Sequence, residues 1–125
     1  MKEIIQTDEA PAAVGAYSQA TTTDGLVFTA GQLPMTPDGE LLDNASVAAQ
    51  TEQALDNCGA ILAEAGADFE DVLKVTVFLS DIDAFDEMND TYAEYFDVEP
   101  PARSAVEVAA LPKGVDIEIE AIAVA

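Results

Sequence analysis

Histidine is absent from this 125-residue chain, cysteine occurs once, and lysine and arginine together number four against 25 acidic residues. Each scarcity removes a class of chemistry. Without histidine there is no Ser-His-Asp triad and no Cys-His pair, and a zinc or haem site would have to be assembled from carboxylates. The lone Cys58 rules out an internal disulfide and a multi-cysteine metal site. A net charge of −21 leaves no basic footprint for phosphate, so neither nucleic acid nor an anionic membrane is an expected partner. The glycines form neither G-x-x-x-x-G-K-[ST] nor G-x-G-x-x-G, and nucleotide cofactors find no support. A basic-then-apolar leader is missing, and no apolar run approaches the ~18 residues of a membrane span. A soluble, cytoplasmic protein is expected.

What is present describes one folded domain over residues 1–125. Half of the residues are apolar and they are spread along the whole chain, unlike a disordered acidic tail. So much charge of one sign repels itself in dilute buffer, and at about 1 M salt the Debye length of roughly 3 Å removes most of that repulsion. In this respect the composition resembles that of proteins from salt-accumulating haloarchaea.

The pattern alternates between sheet and helix. Residues 15–34, GAYSQATTTDGLVFTAGQLP, predict two short strands joined at Asp24-Gly25, a hairpin signal. Val47, Thr51, Ala54, Leu55, Cys58, Ile61, Leu62 and Ala65 recur at helical spacing, with Asp43, Asn44 or Ser46 as cap and Gly66 as stop. Cys58 falls on the apolar face and reads as a small core residue rather than a reactive thiol. Residues 72–80 predict a strand with Leu73, Val75, Val77 and Leu79 on one face and Val72, Lys74, Thr76 and Phe78 on the other. A second helix capped by Asp81 or Asp83 places Phe85, Met88, Tyr92, Tyr95 and Phe96 inward, and Pro100-Pro101 ends it. Strands at 103–109 and 115–125 close the chain. The expected architecture is α+β, a mixed sheet with both helices on one face and a parallel β-α-β unit within it. The other face, with Val72, Phe78, Ile122 and Val124, needs a cover, and a partner subunit supplies one most economically.

Arg103, the only arginine, stands in PPARSAVEV at the start of a predicted strand. It is either a structural ion pair or a planar fork kept for bidentate capture of a carboxylate. On the last strand Asp116, Glu118 and Glu120 alternate with Ile117 and Ile119, so the acids share a face. A tight hairpin through Leu111–Gly114 would set Glu107 near Glu118, and like charges across a ladder are destabilising. Either those two strands are not neighbours, or a cation or proton is handled there.

The segments APAAVGAYSQA, FTAGQLP and PPARSAVEVAALPKGVDIEIEAIAV resemble the reactive intermediate (imine) deaminase family, the RidA or YjgF-like proteins, over nearly the whole chain. The resemblance implies a fold similar to the trimeric chorismate mutases: a homotrimer with sheets inside, helices outside and clefts between subunits. It implies hydrolysis of 2-imino or enamino acids such as 2-iminobutanoate and 2-iminopropanoate to 2-keto acids and ammonia, with no cofactor. It assigns carboxylate binding to Arg103, a water-positioning role to Glu118 rather than Glu120, and cleft-lining positions to Tyr17, Gly31, Gln32 and Asn89. The sequence departs from the family at Ala30, where Ser is usual, and at Ala105, where Cys is common; both bear on rate and substrate preference. On this resemblance Arg103 would fix the imine and help keep Glu118 ionised, and Glu118 would serve as base and then acid. The alternatives are a non-catalytic small-acid-binding or holdase-like module on the same scaffold and, more remotely, a chorismate mutase or a ribonuclease, both of which want more cations than this chain has.

Overall fold

The computed structural model describes residues 1–125. Six strands, β1 (Glu3–Ile5), β2 (Ala20–Thr23), β3 (Leu26–Thr29), β4 (Val72–Leu79), β5 (Ala102–Glu107) and β6 (Ile117–Val124), form one sheet in the order β1-β2-β3-β6-β4-β5. Helices α1 (Val47–Glu64) and α2 (Phe85–Ala93) pack on one face of it. The hairpin between β2 and β3 turns at Asp24 and Gly25, both with positive φ (50° and 80°), the conformation of a type I′ turn. Ser46 caps α1, its hydroxyl accepting from the Ala49 amide at 3.1 Å. Asp81 caps the short 3-10 turn Ile82–Ala84 that leads into α2.

β4 and β5 run parallel across α2, as a β-α-β unit requires. β6 inserts between β3 and β4 and is antiparallel to both. The conflict between Glu107 and Glu118 therefore never arises, because β4 separates their strands. Glu107 instead accepts a hydrogen bond from the Ile82 amide at 2.9 Å.

Along β6 the two faces divide cleanly. Ile117, Ile119, Ala121 and Ala123 are buried against the helices, while Glu118, Glu120 and Ile122 are half-buried on the far face. Leu55, Ile61, Leu62, Val75, Val77 and Leu79 complete the core between the layers. β4 departs from the expected alternation at its start. A register shift between Val72 and Lys74 turns Val72 inward and leaves Leu73 half exposed, so Val72 belongs to the core and not to the uncovered face. A bulge adds one residue to the alternation, which no period-two pattern can register. The far face remains apolar in part: Phe28, Val106 and Val124 are 40%, 42% and 44% exposed, beside the half-buried Phe78 and Ile122.

Asp116 also departs from expectation. It lies just before β6 and is held from the helix layer, accepting from Gln50 Nε2 at 2.9 Å and from the Ser80 hydroxyl at 3.2 Å. Its own amide donates to Gln50 Oε1 at 2.9 Å. It anchors α1 to the sheet and is not part of an acidic row with Glu118. No helix is long and apolar enough to cross a membrane.

Candidate active site

A cleft of about 620 Å³ opens on the Glu118 side of the sheet, a size suited to a small ligand. Its walls include Tyr17, Ala30, Gly31, Gln32, Lys113 and Glu118. Local backbone geometry makes the space. Phe28 pairs with Ile122, but Gln32 pairs with Ile119, one residue more on the β3 side than on β6. The extra residue bows Thr29–Gly31 away from the ladder, and the Thr29 hydroxyl bridges the gap by accepting from the Ala121 amide at 3.0 Å. Gln32 then rejoins β6 through amide-to-carbonyl bonds of 2.7 and 3.1 Å with Ile119.

Glu118 projects into the opening made by this bow. A Cβ on Gly31 would run into its carboxylate, with Cδ only 2.8 Å away, so the glycine leaves the carboxylate its place and is not needed for its backbone angles. Burial pushes the Glu118 carboxyl above its ordinary value, and the negative Glu120 nearby pushes it further. A carboxyl poised in this way exchanges protons more readily near neutrality than a solvated one.

The opposite wall is the segment leading to β2, held by one buried amide. Gln19 Oε1 accepts from the Thr7 amide at 2.7 Å, and Nε2 donates to the carbonyls of Thr7 and Pro11 at 3.0 and 2.8 Å. Tyr17, 54% exposed, has its hydroxyl accepting from the Val14 amide at 3.4 Å. Lys113 sits on a turn with φ 59° and supplies a cation to the rim.

Arg103 lies elsewhere. It pairs with Val75, which pairs with Ala121, so its side chain emerges on the helix face of the sheet, opposite to that of Glu118. Nη1 donates to Asn89 Oδ1 at 2.7 Å, and the guanidinium carbon stands 4.6 Å from the Tyr92 ring centroid and 5.3 Å from that of Phe85. Its hydrogen bond thus goes to a neutral amide rather than to one of the many carboxylates. Ala105, two residues along β5, shares that face and packs against the core.

The eight candidate residues accordingly fall into two groups. Tyr17, Ala30, Gly31, Gln32 and Glu118 meet in the cleft, whereas Asn89, Arg103 and Ala105 cluster at the β5 edge. Within one subunit Arg103 does not keep Glu118 ionised, and Glu118 is shifted upward instead. Cys58 is inert, its thiol buried, pushed up to about 12 and directed at the Ile119 carbonyl. No group of three or more His, Cys, Asp or Glu side chains is placed to hold a metal ion. Gln19 and Lys113 were not singled out as site residues from sequence. Their signals were present, in the SQA and LPKG segments, but nothing in a spacing pattern says that a glutamine will brace a loop.

Comparison with known proteins gives concordant results. The family model described as Endoribonuclease L-PSP matches residues 7–125. A 2-iminobutanoate/2-iminopropanoate deaminase of Rattus norvegicus is 50% identical over 99% of this chain and 90% of its own length. Among solved structures, the yeast protein YEO7 superposes with a TM-score of 0.96 at 44% identity, covering 99% of this chain and 98% of that one. E. coli TdcF with bound serine gives a TM-score of 0.93 at 43% identity, covering 98% of both chains.

Proposed function

The chain belongs to the Endoribonuclease L-PSP family, that of the RidA and YjgF proteins, and from this premise we propose that it is a 2-imino acid deaminase, converting 2-iminobutanoate and 2-iminopropanoate to 2-keto acids and ammonia. The observation that carries the reading is Glu118, a half-buried carboxyl with a raised proton affinity facing a small-ligand cleft. Glu118 takes a proton from water as the oxygen adds to the imine carbon. Passed to the imine nitrogen, that proton completes an amino alcohol; the hydroxyl proton then travels by the same carboxylate to the amino nitrogen, the C–N bond breaks, and ammonia leaves as the carbonyl forms. The imine carbon is already electrophilic, so the side chains suffice for every proton moved. Tyr17, Gly31, Gln32 and Ala30 shape the cleft around the reacting atoms.

Arg103 binds the substrate carboxylate, and because it emerges on the other face of the sheet it reaches a cleft of a neighbouring copy. The active form is therefore a homotrimer with clefts between subunits, its far sheet faces packed together over Phe28, Val106 and Val124. The family description names an endoribonuclease, but the chain has no histidine and a net charge of −21, which favours a small anionic substrate met at one cation over a polyanion. The same charge supports a protein adapted to concentrated salt, working in the cytoplasm.

Coupled turnover tests the reading: 2-iminobutanoate generated from threonine by a dehydratase should disappear faster when this protein is added in concentrated KCl. An unchanged rate would leave the non-catalytic small-acid-binding module as the better reading. Sedimentation in molar KCl is expected to give about three chains' mass, with loss of assembly or thermal stability as salt is removed. Arg103→Lys keeps the charge but loses the planar fork, and kcat/KM should fall roughly 10- to 150-fold, the equivalent of about 1.5–3 kcal/mol for a charged hydrogen bond. Retained activity with lowered stability would mark Arg103 as structural only.

A further inference from the structure

Arg103 carries one of only four side-chain cations in a strongly acidic chain, and its immediate neighbours are neutral. Two are aromatic rings contributed by α2, Phe85 at its first residue and Tyr92 two turns on, and the third is the Asn89 amide between them. A guanidinium beside an aryl face is held by the ring quadrupole without being neutralised. Asn89 occupies one of five N–H donors, leaving Nη2 and the rest of Nη1 free as a fork. A carboxylate in the place of either ring would hold the side chain as firmly but would already fill that fork.

We propose that Phe85 and Tyr92 are positioning residues that form an aromatic cradle, fixing the Arg103 guanidinium in one plane while leaving its charge for the substrate carboxylate. The proposal rests on the deaminase reading above and adds to it the means by which the clamp is kept empty. Tyr92 is 5% exposed, and its hydroxyl is buried without a hydrogen-bond partner. The ring, not the hydroxyl, does the holding. Phe85 is half-buried and leans on the same guanidinium from the start of the helix.

Because Arg103 is the only arginine, a single Nε–Hε cross-peak in a ¹H–¹⁵N spectrum reports on the cradle without any ligand. In the intact protein that peak should be displaced by ring currents and show restricted motion. Tyr92→Leu should move it toward the position of free arginine and weaken 2-oxobutanoate binding roughly tenfold, about 1.4 kcal/mol. Tyr92→Phe, which keeps the ring, should restore both readings. Phe85→Leu, at a half-buried position, carries the same test should Tyr92→Leu fail to fold. In an Arg103→Lys background the ring substitutions should cost much less, because an ammonium does not stack. A peak unmoved by loss of either ring would overturn the cradle. A moved peak with unchanged 2-oxobutanoate affinity, or equal losses in the Arg and Lys backgrounds, would overturn the positioning role. Failure of the intact protein to bind 2-oxobutanoate at all would instead overturn the carboxylate clamp, with the resonance still judging the cradle.

Discussion

Replacing Glu118 by Gln is expected to lower turnover by roughly 10²–10⁴-fold, the usual loss when a positioned proton-transfer group is removed, while the fold survives. Gln preserves the size of the side chain and its fit against Gly31 but takes no proton from water. Stability should move the other way. A carboxyl whose pKa is raised in the folded state binds its proton more tightly there than in the unfolded chain. Folding stability therefore falls as pH rises from the ordinary glutamate range through the raised value, and Glu118→Gln should abolish that component of the decline. Activity in the intact protein needs the ionised form for the first step, so kcat/KM should fall along an acid limb as Glu118 takes up its proton, at a pH that burial and Glu120 raise and that the Arg103 of a neighbouring copy lowers. Glu120 contributes to the upward shift, so Glu120→Gln should slide that limb to lower pH with a much milder loss of rate. pH–rate profiles of the three proteins check both claims. Equal loss from Glu118→Gln and Glu120→Gln would place the acid–base role on the wrong residue.

Gly31→Ala is the second large effect. Gly31 is not among the positive-φ glycines, so alanine meets no backbone penalty there. The added methyl instead meets the Glu118 carboxylate, which must swing aside. Misplacing a reacting group by about 1 Å costs on the order of 10²-fold, and a loss of that size in kcat is expected with little change in thermal stability. Combining Gly31→Ala with Glu118→Gln should add almost nothing to the loss from Glu118→Gln alone, since both act on the same carboxylate. Full additivity would mean that Gly31 serves the cleft in some other way.

The sequence carried the architecture further than the site. Helix α1 was legible because its apolar residues recur at one period and because Ser46 and Gly66 mark its ends. The β2–β3 hairpin was legible through Asp24-Gly25. β1 was not, since three largely exposed residues at a sheet edge carry no alternation to read. The face of Leu73 was misread because a bulge has no compositional sign. Asp116 was grouped with Glu118 on parity alone, and its capture by Gln50 from α1 is a contact across 66 positions of chain. Phe85 and Tyr92 were correctly placed on the inner face of α2. What periodicity could not supply is that this inner face meets a guanidinium as well as the core. Resemblance to a family named the chemical residues but not their separation onto two faces, which follows from the order in which β4, β5 and β6 pair.

That separation has a genetic consequence. A cleft that uses both Arg103 and Glu118 must borrow one of them from another chain. A trimer assembled from Arg103→Ala and Glu118→Gln chains would then contain some clefts with both wild-type residues and others with neither. Two alleles, each inactive alone, should complement when co-expressed or when their purified products are mixed, dissociated by dilution of salt and reassembled in molar KCl. The recovered activity should track the statistics of subunit exchange, a fraction of the wild-type rate and never all of it. A mixture as silent as its components would mean that each chain builds its catalytic centre unaided.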